Sequence, residues 1–417
     1  MHVGMRTTTR SVVVLSLLLG ACAPNISGVV AADGTGTLLD PPAVRESPLA
    51  TIADQCGDLG PTDASVRREP YMQTVSASGA RISWTSERAA AETLVVWTAD
   101  GAPAALPSEV EPTVYLAGAT QRGVSLTALE PATIHCYELR DEAGNVLYGP
   151  TGFRTAPLDD AGPIHIVAFG DSGFAGSDQR AVIDQLHTVP TDLILHVGDV
   201  AYDTGTMPEL EATYFEMYTT LLSSVPVFPA IGDHDDATDG AGPYREAFSL
   251  PGNAGPAAAE RYYSFDWGSV HVVVTDAINP SAAQVEFLER DLAAAEAAGQ
   301  WMIAVASYPL YSSGFHGSYG SVRAAFEPVF QRHHVHLVLS GDDHDYERTV
   351  PIGGVTYMVT GGGGRSVRPV GTSSWTAFSM MALHFTYITI EGDVMRVRAI
   401  DATGREFDGV EIPRTQA

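Results

Sequence analysis

Apolar and polar positions along the chain fall into three regimes. Residues 23–62 carry Gly, Ala, Pro, Ser and Thr with little periodicity, which predicts a flexible tether. Residues 63–157 show short alternating runs at 80–85, 93–98, 113–116, 123–126 and 134–139, separated by turn residues. That spacing, without a helical period, predicts an all-β sandwich. From 163 to 417 the pattern changes to apolar runs, at 164–169, 193–197, 227–231, 270–275, 302–306 and 335–339, with helical segments between them. Buried strands alternating with helices predict an α/β domain. Its clearest helix starts at a capping box, Ser281 to Gln284 after Pro280, and stops at Gly299.

The N-terminus adds a targeting signal. Arg6 and Arg10 precede an apolar run at 11–19, too short to span a bilayer and of the length of a secretory h-region. The run ends in Leu19-Gly20-Ala21-Cys22, which resembles the bacterial lipoprotein cleavage box with Cys22 as the lipidated residue. An ordinary signal peptide cut near Ala21 or Ala23 is the other reading. Residues 1–22 are therefore expected to direct export, to a lipid anchor at the cell envelope or to secretion. That anchor is the only membrane attachment the sequence predicts.

Charge and cysteine content narrow the picture. The chain has 23 basic and 50 acidic residues, a net charge of −27, and every basic residue is Arg. A chain this acidic is a poor binder of nucleic acid or of anionic surfaces. Three Cys are too few for a disulfide scaffold or a thiolate zinc cage. With Cys22 lipidated, Cys56 and Cys136 remain, either as one bridge across the first folded domain or as two buried thiols. Trp84, Trp97 and Tyr137 read as core of that domain, and no repeat is present. Oligomeric state is not legible.

Candidate chemistry sits just after the buried strands. Gly170-Asp171-Ser172-Gly173 follows the first and Gly198-Asp199-Val200-Ala201-Tyr202 the second. Gly232-Asp233-His234-Asp235 follows the third. The run from Gly341 through Asp342, Asp343, His344, Asp345, Tyr346 and Glu347 to Arg348 follows the strand at 335–339. One Gly-Asp turn is weak evidence of function. Four such turns in one α/β domain, each with a metal-capable side chain, are not explained as turns. Convergent carboxylates repel one another unless a cation lies between them.

The order GDxG, GDxxY, GxH[DE], GxxHxYER resembles the calcineurin-like metallophosphoesterases, and within them the purple acid phosphatases. The resemblance spans residues from about 65 to 400. It implies an α/β metallophosphoesterase sandwich of mixed sheets flanked by helices. The stretch from Leu126 to Tyr137 resembles the end of a fibronectin type III domain, which implies a β-sandwich of that type in front. The metallophosphoesterase resemblance also implies two metal ions and hydrolysis of a phosphate monoester by a metal-bound water or hydroxide.

The resemblance assigns Asp171, Asp199, Tyr202 and His344 to the first metal site, with Asp199 bridging both metals. Tyr202 would favour Fe³⁺ there, with Zn²⁺ as the alternative. The second site of the family takes an Asn and two His. Here the matching positions are Asp233, Ser307 and Asp342, and all three depart from the pattern. Two new carboxylates make an oxygen-rich, anionic site suited to Mg²⁺, Mn²⁺ or Ca²⁺ rather than Zn²⁺. His234 and His316 match His residues of the family that contact phosphate or protonate the leaving group. Tyr346, Glu347 and Arg348 are expected to form a structural hydrogen-bonded turn. Gly361–Gly364 with Arg365 is expected to be a mobile loop near the site. His196, His333, His334 and His336 read as packing or surface residues.

Two rival readings stand beside the phosphatase. One is a catalytically weak, one-metal phosphate- or nucleotide-binding protein with an empty second site. The other is a surface interaction protein whose working part is the β-sandwich.

Overall fold

The computed structural model describes residues 36–39, 47, 49–159 and 162–414. The signal and lipidation residues, 1–22, lie outside the described residues. Among the described residues no helix is long and apolar enough to cross a membrane.

The first part is a β-sandwich of two four-stranded sheets. One orders Val66–Gln73, Gly79–Ser86, Thr120–Thr127 and Glu109–Val110; the other orders Ala104–Pro107, Glu92–Trp97, Ile134–Asp141 and Val146–Arg154. Alternation dictates the packing: in Glu92–Trp97, Leu94 and Val96 face the core while Thr93 and Val95 are half-buried. Trp84 and Tyr137 are fully buried, as core residues should be. The strand expected at 113–116 does not form. The backbone N–H groups of Val114, Tyr115 and Leu116 donate to the Glu246 carboxylate instead, so none is left for a neighbouring strand.

The tether expectation also fails in its last part. Ala50–Cys56 is a helix, and Cys56 is disulfide-bonded to Cys136 with a Cα–Cα separation of 5.4 Å. Ile52 packs with the two cysteines, against Trp97 and Ile134. Composition alone did not register this short helix, because the covalent link and the Ile52 contact hold it.

The second part has two stacked sheets. The six-stranded sheet orders Val227–Pro229, Leu193–His196, Ile164–Phe169, His384–Glu391, Val394–Asp401 and Glu406–Pro413. Its first three strands are parallel. The seven-stranded sheet contains the parallel run Val270–Thr275, Trp301–Ala306, Leu337–Ser340 and Thr356–Thr360. These strands are buried but for the half-buried His165, which is why they read as mainly apolar runs. Parallel strands deliver their C-terminal ends to one edge, so the loops of both sheets meet there.

Ser281 caps the helix Ala282–Ala297 by accepting the Gln284 N–H. The reciprocal half of the expected capping box is missing. The Gln284 amide pairs with the Asp276 backbone instead, fastening the helix to the loop before it.

The two parts share one hydrophobic core that runs from Val66 to Ile412. Across their junction Arg68 pairs with Glu211 and lies 3.8 Å over the Phe215 ring. Tyr71 donates to the Ala247 carbonyl, and Tyr137 to the Ser223 carbonyl. A cavity of about 660 Å³ also lies at this junction, lined by Ile52, Arg154, His165 and Asp192 among others. It is away from the strand-end loops that gather the candidate chemistry.

Candidate metal centre

Asp171 sits two residues past Ile164–Phe169, and Asp199 three past Leu193–His196. Asp342 sits two past Leu337–Ser340, and Ser307 directly follows Trp301–Ala306. Asp233 opens a short helix after Val227–Pro229. All five therefore lie at the same edge. Asp171, Asp199 and Asp342 have φ of 57°, 55° and 68°, the left-handed region that side chains other than Gly seldom adopt. Each costs about 1 kcal/mol or more. Three strained carboxylates at one place are the mark of a site that the surrounding fold holds in shape.

The side chains converge. The Tyr202 hydroxyl lies 2.7 Å from Asp199 Oδ2, 3.1 Å from Asp171 Oδ1 and 3.4 Å from His344 Nε2. His344 Nε2 is 3.6 Å from Asp171 Oδ1. The four residues expected in the first site are thus gathered around the Tyr202 hydroxyl. Ligand atoms of Asp199, Asp233 and His234 lie within 4.8 Å of one another. The Asp342 N–H donates to Asp171 Oδ1 and Oδ2 at 3.1 and 3.0 Å. Asp199 stands between the two groups, touching Tyr202 on one side and neighbouring Asp233 and His234 on the other.

Electrostatics show what the cluster lacks. Burial, then the charges of Asp199 and Asp342, hold the Asp171 carboxyl well above the usual range. Burial and Asp233 push Asp199 up to about 6. Burial, Asp233 and Asp343 push Asp342 up to about 8. Two carboxylates about 4 Å apart repel by roughly 4 kcal/mol at an effective dielectric of 20. Burial, then the Arg368 charge, lowers His344 to about 3, so its ring is neutral and able to ligate. Asp342 Oδ2 and Ser307 Oγ are buried without a hydrogen-bond partner. Strained, mutually repelling carboxylates beside unpartnered oxygens fit bound hard cations, and little else.

Residues around the cluster orient it. The fully buried Asp235 carboxylate accepts the N–H groups of Val200, Ala201 and Gly232, bracing the Asp199 loop. His234 Nδ1 donates to the Asp203 carbonyl at 2.6 Å, which leaves Nε2 free for chemistry. His344 Nδ1 donates to Ser366 Oγ at 3.2 Å, which points Nε2 inward. Tyr308 and Tyr319 stack face to face, with ring centroids 3.9 Å apart. Burial, then the charges of Asp233 and Asp342 for Tyr308 and of Asp342 for Tyr319, holds both phenols protonated.

Other expectations need correction. His316 does not stand free to act as an acid. Arg368 donates to His316 Nε2, so that nitrogen is an acceptor and Arg368 is the cation of the pair. Tyr346, Glu347 and Arg348 are structural, but they form the strand Tyr346–Thr349 rather than a turn. Tyr346 and Arg348 both donate to the buried Asp408 carboxylate.

The glycine run at 361–364 is buried and packed rather than a loose loop. The Gly363 N–H donates to the Gly170 carbonyl, and the Arg365 N–H to the Asp171 carbonyl. His196 is buried, is hydrogen-bonded to Ser172, and is lowered to about 3 by burial. His333 pairs with Glu289 and Glu296. His334 is exposed, with Glu296 at 4.0 Å. His336 bonds backbone groups of Met302 and Arg414. These four do not join the cluster. Ser366, Arg368 and Tyr319 carried no motif signal, because each lies on a loop whose path depends on the whole fold.

Comparison with known proteins agrees with this geometry. Residues 164–346 match the family described as calcineurin-like phosphoesterase. Purple acid phosphatase 15 of Arabidopsis thaliana is 28% identical over 282 residues, covering 58% of this chain and 53% of that protein. The relative named "Probable inactive purple acid phosphatase 1", also of Arabidopsis thaliana, is 26% identical over 51% of this chain and 43% of its own length. This chain thus spans about half the length of these curated relatives. The solved structure of purple acid phosphatase PPD1 from yellow lupin (Lupinus luteus) seeds superposes with a TM-score of 0.70. It is 20% identical and covers 82% of this chain and 74% of its own. Its fold, two mixed sheets flanked by helices, is the fold seen here. Residues 164–346 thus form a calcineurin-like phosphoesterase domain, and purple acid phosphatases are among the relatives of the chain.

Proposed function

We propose that this protein is an exported, metal-dependent phosphomonoesterase with two cation sites. One observation carries the reading: Asp171, Asp199, Tyr202 and His344 are in contact at the strand ends, with Asp342 Oδ2 and Ser307 Oγ buried and unpartnered beside them. Asp171, Asp199, Tyr202 and His344 would hold one ion, Fe³⁺ or Zn²⁺. Asp199, Asp233, Asp342 and Ser307 would hold the other, a hard divalent ion such as Mg²⁺, Mn²⁺ or Ca²⁺. The bound ions would supply an activated water and neutralise charge on the phosphoryl group.

The chain's own residues do the rest. The Asp203 carbonyl fixes the His234 ring through Nδ1, so that Nε2 would face the phosphate ester and, when the ring carries a second proton, donate to the leaving oxygen or to a phosphoryl oxygen. Asp235 keeps the Asp199 loop closed against the Asp233 turn. Ser366 keeps His344 Nε2 turned toward Tyr202. The β-sandwich serves as a fibronectin type III-like support, and the Cys56–Cys136 bridge agrees with life outside the cytoplasm.

A one-metal, catalytically weak protein is the second reading. The absence of both second-site imidazoles favours it. Metal content of the protein purified without added metal, measured together with turnover of a simple aryl phosphate, decides between them. Two equivalents per chain with turnover support the phosphatase. One equivalent that added Mg²⁺, Mn²⁺ and Ca²⁺ do not raise, with no turnover, supports the alternative.

A further inference from the structure

The chain contains 14 Phe, and among them only Phe174 and Phe315 are exposed, at 50% and 70%. Both lie on loops at the metal centre, and each carries a guanidinium. Arg365 sits 4.0 Å over the Phe174 ring and 5.0 Å over Tyr202. Arg368 sits 5.0 Å over Phe315. The two Arg are three residues apart on the segment that clips the first site, through Arg365 N–H to the Asp171 carbonyl and Arg368 N–H to the His344 carbonyl.

The two pairs are not equivalent. Arg365 is neutralised by Asp203 at 2.8 Å and is wedged between two rings. Arg368 has no carboxylate within ion-pair distance among the described residues; its partner is the neutral nitrogen of His316. Burial, outweighing the Asp343 charge, lowers His316, in keeping with a ring that stays neutral beside a guanidinium. Asp343 accepts the His316 N–H at 2.6 Å and the Gly317 N–H at 3.0 Å, fixing the loop that carries Phe315. His316 meets Phe315 edge to face, with centroids 5.0 Å apart and an 86° angle. In a chain with net charge −27, an Arg held without a counter-ion next to the reaction centre is an anion receptor. An ordered and exposed aromatic ring beside it is a stacking surface.

Resting on the phosphatase reading, we propose that Arg368 and Phe315 form a substrate subsite. Arg368 binds an anionic oxygen of the phosphate ester. Phe315 stacks on a planar aromatic group carried by the alcohol part. The favoured substrate class is a phosphomonoester of an alcohol bearing an aromatic ring system, as in a nucleoside monophosphate, rather than of a plain sugar or polyol. His316 is a positioning residue that holds Arg368.

The test compares adenosine 5′-monophosphate with ribose 5-phosphate on the metal-loaded full-length protein. The two share the scissile bond and differ in the base. The wild type is expected to favour the nucleotide in kcat/KM by about tenfold or more, the range of one aromatic stack. Phe315→Ala should collapse that ratio towards one, and Phe315→Tyr should preserve it. Arg368→Gln should raise KM for both substrates and leave the ratio standing.

A wild-type ratio near one, or a ratio that Phe315→Ala leaves unchanged with its melting temperature and metal content intact, overturns the subsite. Failure to hydrolyse either compound would count against the phosphatase reading alone. Calorimetric affinities of the same two ligands, for wild type and Phe315→Ala, then decide the subsite by the same ratio.

Discussion

Asp199 is the carboxylate that stands between the two halves of the candidate centre. It accepts the Tyr202 hydroxyl, neighbours Asp233, and keeps a left-handed backbone to do so. Asp199→Asn removes the charge without changing shape. Metal content should fall at both sites and turnover by at least about 100-fold. A variant with wild-type metal content and turnover would remove Asp199 from the site. Ser307 and Asp342 ask a different question. Their unpartnered oxygens stand at the positions where the family resemblance would place imidazoles. The double variant Ser307→His with Asp342→His should move the second ion's preference from Mn²⁺ towards Zn²⁺ in competitive binding. Wild type preferring Zn²⁺ there, with no change in the variant, would show that these two side chains are not ligands.

At the scale of elements, the loop after the strand Thr356–Thr360 has an unexpected part. A Cβ added at Gly361 would meet Asp171 Oδ2 at 2.6 Å, so this backbone passes directly against a carboxylate of the candidate centre. Gly361→Ala should displace Asp171 and cost both stability and metal affinity, read by denaturant midpoint and metal titration. The cluster of glycines was visible in the sequence, but composition could not tell a packed strut from a loose loop.

The same limit applies elsewhere. The buried strands, the Gly-Asp turns and the order of the ligand-type residues were legible, because apolar runs and glycine turns act locally. The helix Ala50–Cys56, the fate of 113–116 and the pairing of His316 with Arg368 were not. Each depends on a partner far along the chain: Cys136, Glu246 and Arg368 respectively.

Contacts between distant parts of the chain carry predictions at the scale of the whole molecule. His271 bridges Asp266 on the neighbouring edge strand and Asp291 on the helix Ala282–Ala297, at 2.8 Å each. Burial alone would lower it, but its hydrogen bonds and the two charges raise it to about 9. A raised folded-state value means the pair stabilises fully below about 6.5 and loses that contribution as pH rises through about 9. The loss should be on the order of 2 kcal/mol between pH 6.5 and 9.5, seen in urea midpoints. Asp291→Asn should flatten the curve, and an unchanged curve would refute the assignment. The bridge between Cys56 and Cys136 closes a loop over a sequence separation of 80. Its reduction should cost about 4 kcal/mol in the chain-entropy account, read as a drop in melting temperature under reductant. No drop would mean that the helix and its cluster contribute nothing to the sandwich.

The shared core, with Arg68 pinned on Glu211 and Phe215, has a consequence for how the protein comes apart. A cut between 157 and 163 looks natural from the sequence, yet it would leave Tyr71 facing water on one side and Phe215 and Phe248 on the other. Neither piece could melt without weakening its neighbour. The protein should therefore unfold as a single cooperative unit, with one heat-absorption peak whose calorimetric and van't Hoff enthalpies agree. The part without chemistry of its own then sets the temperature at which the chemistry is lost.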